Sequence, residues 1–115
     1  MGEWVRAASL SAIEEDRAVH VEVDGTAVCL ARSLGCVFAV HDRCTHADVP
    51  LSEGEVEDGL VECWLHGSQF DLRTGEPISL PATVPVATYA VKTEGDDIYV
   101  DVRTPANAAL AVEEN

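Results

Sequence analysis

Basic side chains are scarce in this chain. Seven Lys and Arg stand against 21 Asp and Glu in 115 residues, for a formal net charge of −14. So few cations leave no electrostatic footing on a phosphate backbone or an anionic lipid surface, and nucleic-acid and membrane binding are excluded as expectations. No apolar run approaches the roughly 20 residues that span a bilayer. The first residues, Met1 to Arg6, lack a basic segment followed by an apolar stretch and a small-residue cleavage site, and Arg6 stands where myristoylation at Gly2 would want Ser or Thr. A cytoplasmic protein is expected, where thiols stay reduced. Gly-rich phosphate loops are absent, so there is no flavin or nicotinamide fingerprint. There is no internal repeat, no low-complexity linker and no sustained 3.6-residue apolar stripe of helical length.

What remains is ordinary in bulk and specific in detail. Hydrophobic residues make up 47% and charged residues 24% of the sequence, the balance of a globular protein, and the length suits one small domain with a modest core. Short β-rich runs recur with turn signals every 8–12 residues or so, the pattern of an all-β, antiparallel sandwich or barrel. Strands are expected within Trp4 to Ile13, Ala18 to Val23, Thr26 to Ala31, Cys36 to Val40, Glu55 to Glu57, Leu60 to Glu62, Gln69 to Leu72, Ala87 to Thr93 and Ile98 to Val102. Asp24-Gly25 is the strongest hairpin signal. Two prolines, Pro81 and Pro85, make the stretch from Leu80 to Pro85 a stiff loop that cannot join a central strand. Residues 105–115 read as a flexible acidic tail.

The chemistry concentrates in two clips, Cys44-Thr45-His46 and Cys63-Trp64-Leu65-His66, separated by Ala47 to Glu62. Each clip holds one thiol and one imidazole. Four cysteines could form two disulfides, but two of them sit at metal spacing, which favours a metal. Thiolate plus neutral imidazole suits zinc or an iron–sulfur centre. A structural zinc finger groups its cysteines apart from its histidines. Mixed clips fit a binuclear site in which one iron takes both thiolates and the other both imidazoles.

On these residues the chain resembles the Rieske family of 2Fe–2S proteins, in which two histidines replace two cysteines on one iron. The family pattern, Cys-x-His followed by Cys-x-x-His-Gly, is matched by Cys44, His46, Cys63, His66 and Gly67. The likeness extends through Leu51-Ser52-Glu53-Gly54 and Phe70-Asp71 to the proline loop, and covers roughly Val5 to Val102. It implies a Rieske-like antiparallel β-sandwich over residues 1–104, with a cluster-binding subdomain at about 41–85 formed by two loops. It also implies one Rieske-type 2Fe–2S cluster, with Cys44 and Cys63 on the inner iron and His46 and His66 on the outer one. High-potential members carry a further cysteine in each clip, joined as a disulfide; Val49 and Leu65 stand there instead. Ser68 matches the family's serine donor to the cluster, but Phe70 replaces the tyrosine donor. Fewer donors to sulfur imply a lower potential. Trp64 replaces the usual proline.

That subtype implies an electron-transfer component rather than an enzyme: a monomeric carrier between a flavin-dependent ferredoxin reductase and a terminal oxygenase of an aromatic-hydrocarbon dioxygenase system. The chain is too short for the mononuclear iron domain of the oxygenase itself. Two alternatives stay open, the small subunit of an NADH-dependent nitrite reductase and a zinc-stabilised β-sandwich binding module. Among the other residues, Cys29 and Cys36 are expected as reduced core thiols within strands, His20 and His41 as surface or edge-strand histidines, and Trp64 as packed beneath the cluster loop or, failing that, as an exposed partner contact. The acidic surface serves solubility or steers a basic partner.

Overall fold

A computed structural model describes residues 4–45, 49–65, 67–80 and 82–103. His46, Ala47, Asp48, His66, Pro81 and the expected tail at 105–115 lie outside the described residues.

Nine strands carry the described chain: β1 Val5–Ser9, β2 Arg17–Val23, β3 Thr26–Ser33, β4 Cys36–His41, β5 Glu55–Glu57, β6 Leu60–Glu62, β7 Gln69–Asp71, β8 Thr88–Glu94 and β9 Asp97–Asp101. Six form one antiparallel sheet in the order β1-β9-β8-β4-β3-β2, and β5-β6-β7 form a second, smaller one. The outermost strands of the large sheet, β1 and β2, pack against each other, so the sheet curls around a core. Asp24 and Gly25 both take left-handed backbone, at φ 52° and 80°. This is the twist a two-residue hairpin demands and that Gly supplies without strain.

Strand β3 explains how so small a chain builds two cores. Side chains alternate across a strand. Val28 and Leu30 point into the core enclosed by the curled sheet, with Val23, Ile98 and Val100. Cys29 and Ala31 point the other way, into a core shared with Leu51, Val61, Phe70 and Leu72 from the small sheet and its flanking turns. A strand buried on both faces reads as a continuous apolar run, as Ala27 to Ala31 does. Ser33, fully buried at the end of β3, joins the two layers: its hydroxyl donates to Asp16 and accepts from the Gly59 N–H in the β5–β6 turn.

Three sequence expectations need correction. The first strand stops at Ser9 rather than reaching Ile13, because Leu10–Ala12 forms a 3-10 turn. The Arg32 guanidinium donates to the carbonyls of Leu10 and Ile13, and Ile13 folds into the core. Cys29 is a fully buried free thiol whose pKa burial pushes up, but Cys36 is exposed. It opens β4 directly after the Leu34–Gly35 turn, where one strand end faces water. His20 lies on the outermost strand β2, as expected, whereas His41 is half-buried at the end of interior strand β4, with its pKa lowered by burial and by Arg43.

Candidate metal centre

The chain leaves the large sheet at His41 and returns beside it at Thr88, and β4 and β8 pair through Ala39↔Tyr89 and Val40↔Thr88. Everything between them leaves and re-enters the sheet at that seam. The first loop runs from β4 to the 3-10 turn Leu51–Glu53. Within it Cys44 is only 3% exposed, and its N–H donates to the Val49 carbonyl at 2.9 Å. The second loop joins β6 to β7, whose ladder ends at Glu62↔Gln69. Here Cys63 is 1% exposed; its N–H donates to the Ser68 carbonyl at 2.7 Å, and its own carbonyl accepts from Gly67 N–H at 2.9 Å.

Both cysteines belong to one buried cluster, the core that also contains Leu51, Phe70, Ala82 and Val86. A third segment ties the two loops together. The Thr45 hydroxyl donates to the Val84 carbonyl at 2.6 Å, and the Ala82 N–H donates to the Ser68 hydroxyl at 3.0 Å. The Ser79 hydroxyl accepts from Gln69 N–H at 2.9 Å. A hydroxyl from each loop, Thr45 and Ser68, thus ties that loop to the same third segment.

One further polar group is buried at the first loop. The Asp42 side chain has no exposed surface, yet it accepts three hydrogen bonds: from Ser52 N–H at 2.7 Å, from the Ser52 hydroxyl at 2.7 Å and from His20 Nδ1 at 2.5 Å. The hydrogen bond to Asp42, assisted by its charge and by Glu22, raises the His20 pKa above its ordinary 6.5. The stability this pairing contributes is therefore fully present below pH 6.5 and is lost as pH rises through the raised folded value. His20→Gln is expected to lower Tm in mildly acidic buffer, with a deficit that shrinks as the solution becomes alkaline. A thermal melt series across pH checks this. The imidazole is nearly half exposed, so the effect stays below about 1 kcal/mol.

The sequence-predicted ligands divide evenly. Cys44 and Cys63 come together in one core, while His46 and His66 lie outside the described residues. Among the described residues alone no group of three or more His, Cys, Asp and Glu side chains is assembled. The donors described fit an iron–sulfur group: two buried cysteines at the bases of two neighbouring loops, inside apolar packing that excludes water. Val49, half-buried, and Leu65, exposed, carry no sulfur at the positions where the additional cysteines would stand, so no disulfide can link the loops there. Phe70 is fully buried and carries no hydroxyl. Trp64 corrects an expectation: it is 51% exposed rather than packed beneath the loop, since it sits in the turn directly after buried Cys63 and points away from that core. Sequence reasoning passed over Asp42, and it treated Thr45 as a spacer between two ligands. A carboxylate placed just after an apolar strand and just before a clip was the available signal.

Comparison with known proteins agrees with this geometry. The Rieske 2Fe-2S domain matches residues 3–90. The ferredoxin component of biphenyl 2,3-dioxygenase from Rhodococcus jostii (strain RHA1) is 54% identical over 68 residues, which span 59% of this chain and 64% of that protein. The ferredoxin subunit of 3-phenylpropionate/cinnamic acid dioxygenase from Escherichia coli (strain K12) is 37% identical over 99 residues, or 85% of this chain and 92% of that protein. The ferredoxin of carbazole 1,9a-dioxygenase from Nocardioides aromaticivorans IC177 superposes with a TM-score of 0.82 at 35% identity, covering 85% of this chain and 96% of that one. A ferredoxin solved in complex with the oxygenase of a carbazole 1,9a-dioxygenase gives 0.80 at 30% identity, with coverage of 85% and 92%. With two buried thiols on two pinned loops, and a family match over most of its length, the chain belongs to the Rieske 2Fe–2S domain family.

Proposed function

We propose that this protein is a one-electron carrier of an aromatic-ring dioxygenase system, taking electrons from a flavin-dependent reductase and delivering them to a terminal oxygenase. The observation that carries the reading is the pair of buried cysteines on loops cross-pinned by Thr45 and Ser68, in a chain whose relatives are named as dioxygenase ferredoxins. A bound Rieske cluster supplies reversible uptake of a single electron. Cys44 and Cys63 would hold one of its irons, and His46 and His66 the other. The apolar wall of Leu51, Phe70 and Val86 keeps water from the thiolates. The Ser68 hydroxyl accepts from the Ala82 N–H and so keeps its own proton to donate to a bound cluster, whereas Phe70 offers none, and a low potential would follow. Residues 1–104 make up the domain, with a cluster-binding portion at about 41–85. The protein works as a cytoplasmic monomer; among the described residues no helix is long and apolar enough to cross a membrane.

The surface beside the clips fits a donor that must come close to its acceptor. Trp64, Leu65, Ile78, Leu80 and Val84 are all exposed, and all lie on the second clip or the third segment. Glu53, Glu55, Glu57 and Asp58 are exposed on the adjoining turn and small sheet. The apolar side chains make the intimate contact, and the acids speed encounter with basic surfaces. Raising salt from low to moderate concentration is expected to slow transfer to a terminal oxygenase by about tenfold, because charge steering is screened. Trp64→Ala is expected to slow transfer with the visible spectrum unchanged. Stopped-flow reduction of the oxygenase checks both, and rates indifferent to salt and to Trp64 would place the docking face elsewhere.

A further inference from the structure

The two clips are closed in different ways, and the difference singles out one residue. The second loop is a true hairpin loop. Its neck is the β6–β7 ladder, whose last pair Glu62↔Gln69 directly flanks the Cys63–Ser68 rung. The first loop has no such ladder, because β4 ends at His41 and the far side of the loop enters a 3-10 turn instead of a strand. At that neck stands Asp42. Its carboxylate reaches across to residue Ser52, ten positions on, and takes both the backbone N–H and the hydroxyl of that residue. Just inside this closure lies the Cys44 N–H to Val49 carbonyl bond.

We propose that Asp42 is a positioning residue for the first clip. Its buried carboxylate replaces the missing strand ladder and sets the orientation of Cys44, and His20 on β2 anchors it from outside. The inference rests on the reading of both loops as cluster loops. Its physical basis is the cost of the alternative. A carboxylate fully withdrawn from water persists only when its oxygens are occupied by donors, and here all three donors converge on it. Two of them come from the residue that begins the exit from the loop. Removing the carboxylate leaves the half-buried Ser52 N–H without its acceptor and frees the neck to open. The second loop, closed by backbone alone, has no part in that network.

The test compares the two loops within one molecule. Asp42→Ala, Asp42→Asn and Ser52→Ala are prepared in the full chain, with Ser52→Thr as the conservative control and Ile98→Val as a destabilising change in the other core. Hydrogen exchange is followed at the Cys44 and Cys63 amides. In Asp42→Ala the Cys44 amide is expected to exchange about tenfold faster or more while the Cys63 amide holds its protection. Asp42→Asn, which keeps one acceptor oxygen, and Ser52→Ala, which keeps the backbone bond, fall between Asp42→Ala and the parent. Ser52→Thr matches the parent. In the iron-loaded protein the same ranking is expected for the rate of iron loss to a ferrous chelator, and the electron paramagnetic resonance signal of the reduced form shifts for Asp42→Ala but not for Ile98→Val. Equal acceleration at both amides, or none at either, would overturn the proposal. So would an Asp42→Ala spectrum and iron-loss rate no different from those of Ile98→Val. If Asp42→Ala does not fold, Ser52→Ala decides by the same selective criterion. A parent chain that binds no iron sinks the functional reading, while the exchange pattern still decides the role of Asp42.

Discussion

Cys63→Ala is expected to be a colourless protein without bound iron, whereas the parent carries two irons and two sulfides per chain and is red-brown. Cys63 is almost fully buried, its N–H and C=O are both tied into the second loop, and it shares one core with Cys44. Alanine at that position leaves the loop its backbone bonds but removes one of the four ligands proposed above. The molecule contains its own control. Cys29 is equally buried and belongs to the same core, but it sits on β3 and is part of neither clip. Cys29→Ala therefore loses a comparable packing contribution, and it is expected to keep its colour and iron. Iron and sulfide assays with a visible spectrum on the two variants separate ligand loss from packing loss. Full iron in Cys63→Ala, or equal loss in both, would remove the metal assignment. A colourless parent that binds zinc would restore the alternative of a zinc-stabilised module.

Gly54→Ala has the largest expected effect on stability. A Cβ on Gly54 would lie 1.7 Å from the carbonyl oxygen of Glu62 and 2.9 Å from its carbon. Both are backbone atoms at the base of the second clip, so neither can swing aside as a side-chain end would. The demand at Gly54 is for space alone, since its φ of −89° suits any residue. Overpacking ordinarily costs ~1–3 kcal/mol, and a rigid neighbour puts this site at or beyond the upper end, which for a domain of this size corresponds to a fall in Tm of roughly 10–20 °C. Gly95→Ala makes the contrast. Nothing lies within 4 Å of a Cβ there, and the only cost is the left-handed turn at φ 61°, on the order of 1–2 kcal/mol. Thermal melts of both variants check the ordering. A Gly54→Ala melt close to that of the parent would mean that the 3-10 turn yields more readily than its close approach to β6 suggests.

Local signals carried much of this architecture. Strands β5 and β6 were legible to the residue because glycines and alternating side chains bound them on both sides. The meeting of Cys44 and Cys63 in one core agrees with the spacing of the two clips. Burial at element ends was not legible. Cys36 and Cys29 sit in strands of similar composition, yet one faces water because β4 begins there and the other is covered on both faces of the sheet. Trp64 could be read only when the turn following Cys63 was in view. Asp42 was hidden for a different reason. Its role needs His20 and Ser52, residues distant in sequence, to meet at one carboxylate, and no periodicity or pair spacing encodes a junction of three segments.

The seam between β4 and β8 has a consequence for how such a protein can change over time. The two strands are neighbours in the sheet, about 4.8 Å apart, and at their junction the His41 N–H donates to the Ala87 carbonyl at 2.9 Å. Topologically, the whole redox-bearing stretch is one oversized hairpin connection. The entropy of closing such a connection grows only with the logarithm of its length, so doubling it costs roughly 0.6 kcal/mol. Insertions, deletions and new partner-facing residues can accumulate in its exposed turns, away from the packing on β3 and the bonds to Ser33 and His20, without shifting one rung of the large sheet. The scaffold and the part that meets partners are thus free to diverge at different rates.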